Sequence, residues 1–129
     1  MEAFTTHGAF SWSELMTSDP RAATEFYGSL FGWKVEKMDM PTGAYHVVKV
    51  GDEGIGGIMD MPPGAGPMPP NWCPYVTVKD VDATAKQCAA LGGKVMHEPQ
   101  DIPGVGRFAV IADPQGAVLN VITYAPREG

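Results

Sequence analysis

Residues 12–35 read WSELMTSDPRAATEFYGSLFGWKV, and residues 72–95, sixty positions later, read WCPYVTVKDVDATAKQCAALGGKV. Seven of the twenty-four aligned positions are identical, and the alignment needs no gap. Self-similarity at a constant offset indicates that one supersecondary unit is present twice. The sequence therefore predicts two copies of the same arrangement, over residues 8–60 and 71–124.

Each copy is predicted to begin with a strand and a helix. Aromatic and apolar residues alternate over residues 10–16 and 72–78, which is typical of strands. The sequence Ser18-Asp19-Pro20 then supplies a capping side chain and a proline for the first helical turn. Gly32 ends this helix, because glycine adopts the left-handed conformation at low cost.

The second helix starts at Asp80 or Asp82 and stops at Gly92-Gly93. In the first helix, apolar residues recur every fourth position at Ala22, Phe26 and Leu30. A second row beside them, Ala23, Tyr27 and Phe31, completes a broad apolar stripe. Three extended segments follow each helix: residues 33–38, 45–50 and 55–59 in the first copy, and 94–97, 107–112 and 117–124 in the second.

A β-α-β-β-β unit leaves one sheet face uncovered, so two such units must pair to bury a common core. The predicted fold class is α+β: two tandem units form a curved mixed sheet around a shared pocket, with the helices outside. Residues 60–70, DMPPGAGPMPP, contain five prolines and two glycines, which excludes a helix or a central strand. Residues 61–70 are therefore predicted to link the two units within one domain, residues 1–129.

Composition excludes several classes of function. A formal charge of −6 and a pI near 4.8 argue against nucleic-acid binding, which needs a basic face, and favour neutral or cationic ligands. No apolar run is long enough to cross a bilayer, and the two cysteines form no CxxC pair. We expect a soluble cytoplasmic protein with neither nucleic-acid nor membrane partners.

Three segments carry a resemblance to a known family: SDPRAATEFYGSLFGWKVE, DVDATAKQCAALGGKV and ADPQGAVLNVITY. They resemble the vicinal oxygen chelate superfamily, which contains glyoxalase I, extradiol dioxygenases, and fosfomycin and bleomycin resistance proteins. WSEL and IPGVGRFAVIADPQGA look like a less characterised, glyoxalase-like branch. The resemblance implies a small-molecule ligand and a homodimer.

Catalytic members of this superfamily bind one divalent metal through His, Glu or Gln residues on four strands. The matching positions here carry Trp12, Trp72 or Cys73, a residue near Gly57 or Ile58, and Asn120. Indole, glycine and a neutral amide are poor ligands for a divalent metal. The three histidines are scattered, without the spacing of a zinc site. We therefore expect no metal and no other cofactor.

Glu14 is the candidate catalytic residue. Trp12, Glu14 and Met16 share one strand face by the period of two. A carboxyl group beside an indole on a partly dry face is suited to act as a general base or to pair with a cationic ligand. Alternatively, Glu14 points outward or forms a structural pair with Arg107 or Lys49.

Other candidate binding residues are aromatic or polar groups at strand starts and loops: Trp12, His46, Trp72, Tyr75, Arg107 and Asn120. Aromatic rings stack, Arg107 suits a carboxylate or phosphate, and the Asn120 amide forms hydrogen bonds. Core packing is the alternative for the aromatic residues, and anchoring of the IPGVGR loop is the alternative for Arg107.

Three functions remain open on this reasoning. The leading hypothesis is metal-free binding of a small organic molecule, by sequestration or by proton transfer at Glu14. The second is a divalent-metal-dependent lyase, isomerase or dioxygenase with Cys73, His46 and Glu14 as substitute ligands. The third is a non-catalytic structural dimer.

Overall fold

The structure, a computed structural model, describes residues 1–40, 43–61 and 69–125. Two compact units divide the chain: Trp12–Cys73, and Met1–Ser11 together with Pro74–Gly129. Its elements are β1 (Phe10–Thr17), α1 (Pro20–Phe31), β2 (Lys34–Met40), β3 (Gly43–Val50), β4 (Glu53–Asp60), β5 (Asn71–Thr77), α2 (Val81–Ala90), β6 (Lys94–Ile102), β7 (Gly106–Ala112) and β8 (Val118–Tyr124). The α+β class and the two successive β-α-β-β-β arrangements are confirmed.

The unit Trp12–Cys73 contains strands in the order β2-β3-β4-β1. β1 runs parallel to β4, and the other neighbours are antiparallel. Leu15, Val48 and Ile58 form its buried core, against which Ala23 and Tyr27 of α1 pack. Burial of an aliphatic side chain of this size contributes about 1.5–3 kcal/mol. This core fixes α1 to one face of the four strands.

The other unit repeats the plan with the strand order β5-β8-β7-β6, and β5 is parallel to β8. Its core comprises four buried residues: Val78, Val81, Ala109 and Val121. The N-terminal segment belongs to this unit, because the Gly8 amide donates to the Thr77 carbonyl at 2.7 Å. The Phe4 ring meets Tyr124 edge-on, with 4.9 Å between ring centroids.

The helix caps follow the sequence. Asp19 accepts a hydrogen bond from the Ala22 amide at 3.0 Å, and Gly32 ends α1 with φ of 74°. Both predictions for α1 are confirmed. In α2 the capping residue is Asp80, which accepts from the Ala83 amide at 3.0 Å. This leaves the Asp82 carboxylate available for another partner.

Only one edge of the predicted stripe on α1 packs against the strands. Phe26 and Leu30 are 60% and 58% exposed, and no residue of α1 is fully buried. Contact with the core comes from Ala23 and Tyr27, in the other row of that stripe. The apolar stripe is wider than the contact that one face of four strands provides.

The largest difference from prediction is β6, which reaches Ile102 instead of ending at His97. Its pairing with β7 shifts register between Val95 and His97 and again before Gln100. Pro99 is tolerated because β6 is the outer strand of its unit. The predicted linker lies outside the described residues apart from its two ends. Among the described helices, none has the length and apolar character needed to cross a membrane.

Candidate functional site

Glu14 lies on the face of β1 that points away from α1. Its neighbour Leu15 is buried against α1, and successive strand residues alternate between faces. Trp12, Glu14 and Met16 therefore share a face, as predicted, and all three are half-buried. The carboxylate is neither fully exposed to water nor sealed within the core.

A chain of hydrogen bonds holds Glu14 in place. The Trp12 indole Nε1 donates to the Tyr45 hydroxyl at 3.0 Å, and this hydroxyl donates to Glu14 Oε2 at 2.8 Å. A hydrogen bond to a carboxylate is stronger than one between neutral groups. The indole thus orients the phenol, and the phenol orients the carboxylate.

Gly57 provides the space that this arrangement needs. It pairs with Glu14 across β1–β4 and with Val47 across β3–β4, so it lies between the two strands that carry Glu14 and Tyr45. A methyl group on Gly57 would overlap the Tyr45 hydroxyl and its ring. The phenol therefore fills the space above Gly57. The sequence analysis placed one of the family's metal-ligand positions near this glycine.

Residues of this unit fit a metal poorly. Trp12 donates its N–H to Tyr45, Gly57 has no side chain, and the ring of Tyr45 takes up the space beside it. Over residues 1–40, 43–61 and 69–125, no three His, Cys, Asp or Glu side chains are placed to hold a metal ion. Asn120, in the other unit, contributes only a neutral amide.

The structure does not bring His46 to Glu14. His46 pairs with Ile58, a core residue, and the alternation of β3 directs it to the face opposite Tyr45. The two cations considered as partners of Glu14 are engaged elsewhere, since Lys49 pairs with Glu36 and Arg107 pairs with two aspartates.

Arg107 anchors the start of β7 to α2. Its Nε and Nη2 donate to the two carboxylate oxygens of Asp82 at 2.8 and 2.9 Å, and Nη1 donates to Asp101 at 3.1 Å. The hydrogen bonds that Arg107 donates hold the pKa of Asp82 below its ordinary value, and acceptance of these bonds by Asp82 and Asp101 raises the pKa of Arg107. A cavity of about 500 Å³ adjoins these groups. An anionic ligand there would have to displace two carboxylates.

Trp72 belongs to an aromatic cluster on the α1 face. Its indole Nε1 donates to the Tyr27 hydroxyl at 3.2 Å, and its ring centroid lies 6.0 Å from that of Trp33. Since strand residues alternate, Cys73 points to the opposite face. The sixty-residue offset aligns Trp72 with Trp12, yet only Trp12 lies on the face of Glu14.

Tyr75 and Asn120 face each other across β5 and β8 and are 6% and 5% exposed. Every buried side-chain nitrogen and oxygen among the described residues has a hydrogen-bond partner. Contact with a ligand at these two residues would therefore require rearrangement. Their predicted binding role, like those of His46, Trp72 and Arg107, stays a prediction.

Tyr45 is the residue that sequence reasoning missed. The available signal was the glycine run GIGG, residues 54–57, because a strand glycine often marks the close approach of another group. The pattern alone does not say which side chain fills that space.

The chain is similar in sequence to a known family and to several curated proteins. A family model described as "Glyoxalase/Bleomycin resistance protein/Dioxygenase superfamily" matches residues 9–121. The CFP32 protein of Mycobacterium tuberculosis, provisionally named a glyoxylase, is 46% identical over 94% of this chain and 46% of its own length. The anthracycline biosynthesis protein DnrV of Streptomyces peucetius is 35% identical over 95% of this chain and 49% of its own length. The chain thus spans about half the length of these curated relatives.

Solved structures show the same fold at low sequence identity. A hypothetical protein, BH1468 of Bacillus halodurans, matches with a TM-score of 0.73 and 10% identity, over 96% of this chain and 99% of that one. Methylmalonyl-CoA epimerase of Mycobacterium tuberculosis matches with a TM-score of 0.67 and 15% identity, over 95% and 92%. These similarities concern the fold alone.

Proposed function

Because the chain belongs to the glyoxalase/bleomycin resistance protein/dioxygenase superfamily, we propose that it binds a small organic molecule in a metal-free pocket beside Glu14. Trp12 and Tyr45 contact the ligand, and Glu14 serves as the proton-transfer group. The observation that carries this proposal is the 2.8 Å hydrogen bond from the Tyr45 hydroxyl to Glu14 Oε2.

A half-buried carboxylate with a fixed orientation is suited to general-base catalysis. In the proposed reaction, a C–H bond next to a carbonyl group of the ligand breaks, and its electron pair stays on the ligand as an enolate. The proton goes to Glu14 and returns to another position of the ligand, which completes an isomerisation. If no proton is transferred, the same site acts by sequestration.

The residues themselves favour proton transfer over metal chemistry. At the predicted ligand positions of the first unit, the Trp12 indole donates its N–H in a hydrogen bond to Tyr45. Gly57 has no side-chain atom that could bind a metal. A Lewis-acid site needs several oxygen, nitrogen or sulfur ligands around one ion. The anthracycline biosynthesis relative further supports a small organic molecule as ligand.

Three measurements test the proposal. Elemental mass spectrometry on untagged protein, purified without chelator, should find far less than one divalent metal per chain. A thermal-shift screen with small carbonyl compounds should identify ligands, since binding raises the melting temperature. Ligands incubated with the protein in deuterated water should then exchange hydrogen for deuterium at one C–H position. A chelator should not stop this exchange.

Glu14→Gln should keep the thermal shift and lose the exchange, whereas Glu53→Gln, at an exposed glutamate of β4, should keep both. Near-unit metal occupancy would overturn the metal-free site. Exchange that survives in Glu14→Gln would remove the proton-transfer step and leave sequestration.

The remaining expectations rest on length and composition for the domain and the location, and on the family for the oligomeric state. We propose that residues 1–129 form one domain and that the protein is a cytoplasmic homodimer. Sedimentation equilibrium measures the oligomeric state directly, and a monomer at all accessible concentrations would refute the dimer.

A further inference from the structure

A cavity of about 300 Å³ lies on the α1 face of the unit Trp12–Cys73. Its lining consists of Ser13, Trp33, Val48, Ile55, Gly56 and Trp72. Ser13 lies between Trp12 and Glu14 on β1, and strand alternation directs it to the other face. The cavity is therefore separated from Glu14 by the thickness of the strands.

Two tryptophans form the walls. The ring planes of Trp33 and Trp72 meet at 78°, with 6.0 Å between their centroids, so the rings make a corner. Trp72 is 39% exposed, although burial of an indole is favourable. An exposed aromatic corner beside a cavity is typical of a ligand-binding surface.

Neighbouring side chains hold both walls in position. The Tyr27 hydroxyl accepts the hydrogen bond of Trp72 Nε1, and the Tyr27 ring lies 5.6 Å from that of Trp33. Phe31 packs against Trp33 from the end of α1, at 5.1 Å between centroids. Because these rings are already ordered, a ligand would lose little affinity to side-chain ordering.

The lining also indicates the chemistry of the ligand. It contains no charged side chain, and its polar side-chain groups are the Ser13 hydroxyl and the indole N–H groups. Ser13 is exposed, so its hydroxyl is accessible to a partner. A volume of about 300 Å³ lies at the lower end of the range for small-molecule sites.

We propose that this cavity is a second binding site, which takes an uncharged aromatic molecule of one or two fused rings carrying a hydroxyl group. The rings of the ligand lie in the corner of Trp33 and Trp72, and its hydroxyl group bonds to Ser13. This site is independent of proton transfer at Glu14.

Titration of the ¹⁵N-labelled full chain with 2-naphthol tests the proposal, because the three tryptophans give three indole N–H resonances in NMR spectra. The resonances of Trp33 and Trp72 should shift in a saturable manner. The Trp12 resonance should stay in place, since Trp12 lies on the opposite face. Replacement of each tryptophan by phenylalanine assigns the three signals.

Ser13→Leu fills the cavity and should weaken 2-naphthol binding at least tenfold. Ser29→Leu makes the same change at an exposed serine of α1 outside the lining and should leave binding as in the parent. The proposal is overturned by the absence of saturable shifts, by a shift confined to Trp12, or by equal binding in the two leucine variants. Shifts of Trp33 and Trp72 that follow protein concentration instead of 2-naphthol would also overturn it, since a second copy would then cover the cavity.

Discussion

The substitution Gly57→Ala tests whether Tyr45 is held in the space above β4. The added methyl group would overlap the Tyr45 hydroxyl and ring. Because the overlapping atoms are the far end of a side chain, the phenol can rotate away while the strands stay paired. Rotation would break its hydrogen bonds with Trp12 and Glu14 together.

The expected cost follows from those two hydrogen bonds. A neutral hydrogen bond contributes about 1 kcal/mol and one to a charged group about 1.5–3 kcal/mol. Replacement of a strand glycine by alanine stabilises the protein by about 0.5–1 kcal/mol, which offsets part of this cost. Water that reaches this half-buried site offsets a further part, because it can bond to the released groups. We therefore expect the free energy of unfolding to fall by about 2 kcal/mol, which lowers the melting temperature of a chain of this length by roughly 8 °C.

Urea denaturation, followed by tryptophan fluorescence, measures this change, and Gly54→Ala is the matched control. A methyl group on Gly54 would lie 3.4 Å from Trp12 and Val47, which is ordinary contact. The control loses no hydrogen bond and gains the same alanine contribution, so it should be as stable as the parent or more stable by up to about 1 kcal/mol.

A double-mutant cycle identifies the cause. Tyr45→Phe should cost about 2 kcal/mol alone, and in the Gly57→Ala background it should cost less than about 0.5 kcal/mol. If the two effects simply add, or if Gly57→Ala behaves like Gly54→Ala, the proposed role of Gly57 is wrong.

Two further predictions concern the charges and the core. The hydrogen bonds from Arg107 lower the folded-state pKa of Asp82 below the ordinary 3.8, so this pair stabilises the fold above that pH and loses its effect as the pH falls through the lowered value. Arg107→Gln should therefore destabilise the protein at neutral pH and converge with the parent below pH 3.8, whereas Arg21→Gln, at an exposed i,i+4 pair, should show no such convergence. Ile58→Ala should cost about 2–5 kcal/mol because Ile58 is fully buried. Ile55→Ala, at a residue 38% exposed, should cost under half as much, and equal costs would contradict the assignment of the core.

The sequence repeat predicted the order of elements because hydrophobic periodicity and capping residues act over a few positions. Asp19 and Gly32 bound α1 as expected, since their side-chain and backbone chemistry acts locally. The pair of Tyr45 with Glu14 depends on two strand registers, β3 with β4 and β4 with β1. Periodicity shows which residues of one strand share a face, and it carries no information on the register between strands.

The same limit explains Trp72. Identical residues at a constant offset predict equivalent positions, yet Trp12 and Trp72 lie against different partners, Tyr45 in one case and Tyr27 in the other. A shift of one residue between the copies exchanges the two faces of a strand. Sequence identity within the repeat thus located the strand starts correctly and did not determine the direction of each side chain.

The glycine run in β4 connects the two proposed sites. Gly57 leaves room for Tyr45 on the face of Glu14, and Gly56 lines the cavity on the face of Ser13. A methyl group on Gly56 would overlap the Ser13 carbonyl oxygen, which belongs to the backbone of β1 and cannot rotate away. Gly56→Ala must therefore separate β1 from β4 and disturb Ser13 and Glu14 together. The overlap caused by Gly57→Ala can be relieved by rotation of the Tyr45 side chain alone, so its effect should remain on the Glu14 face.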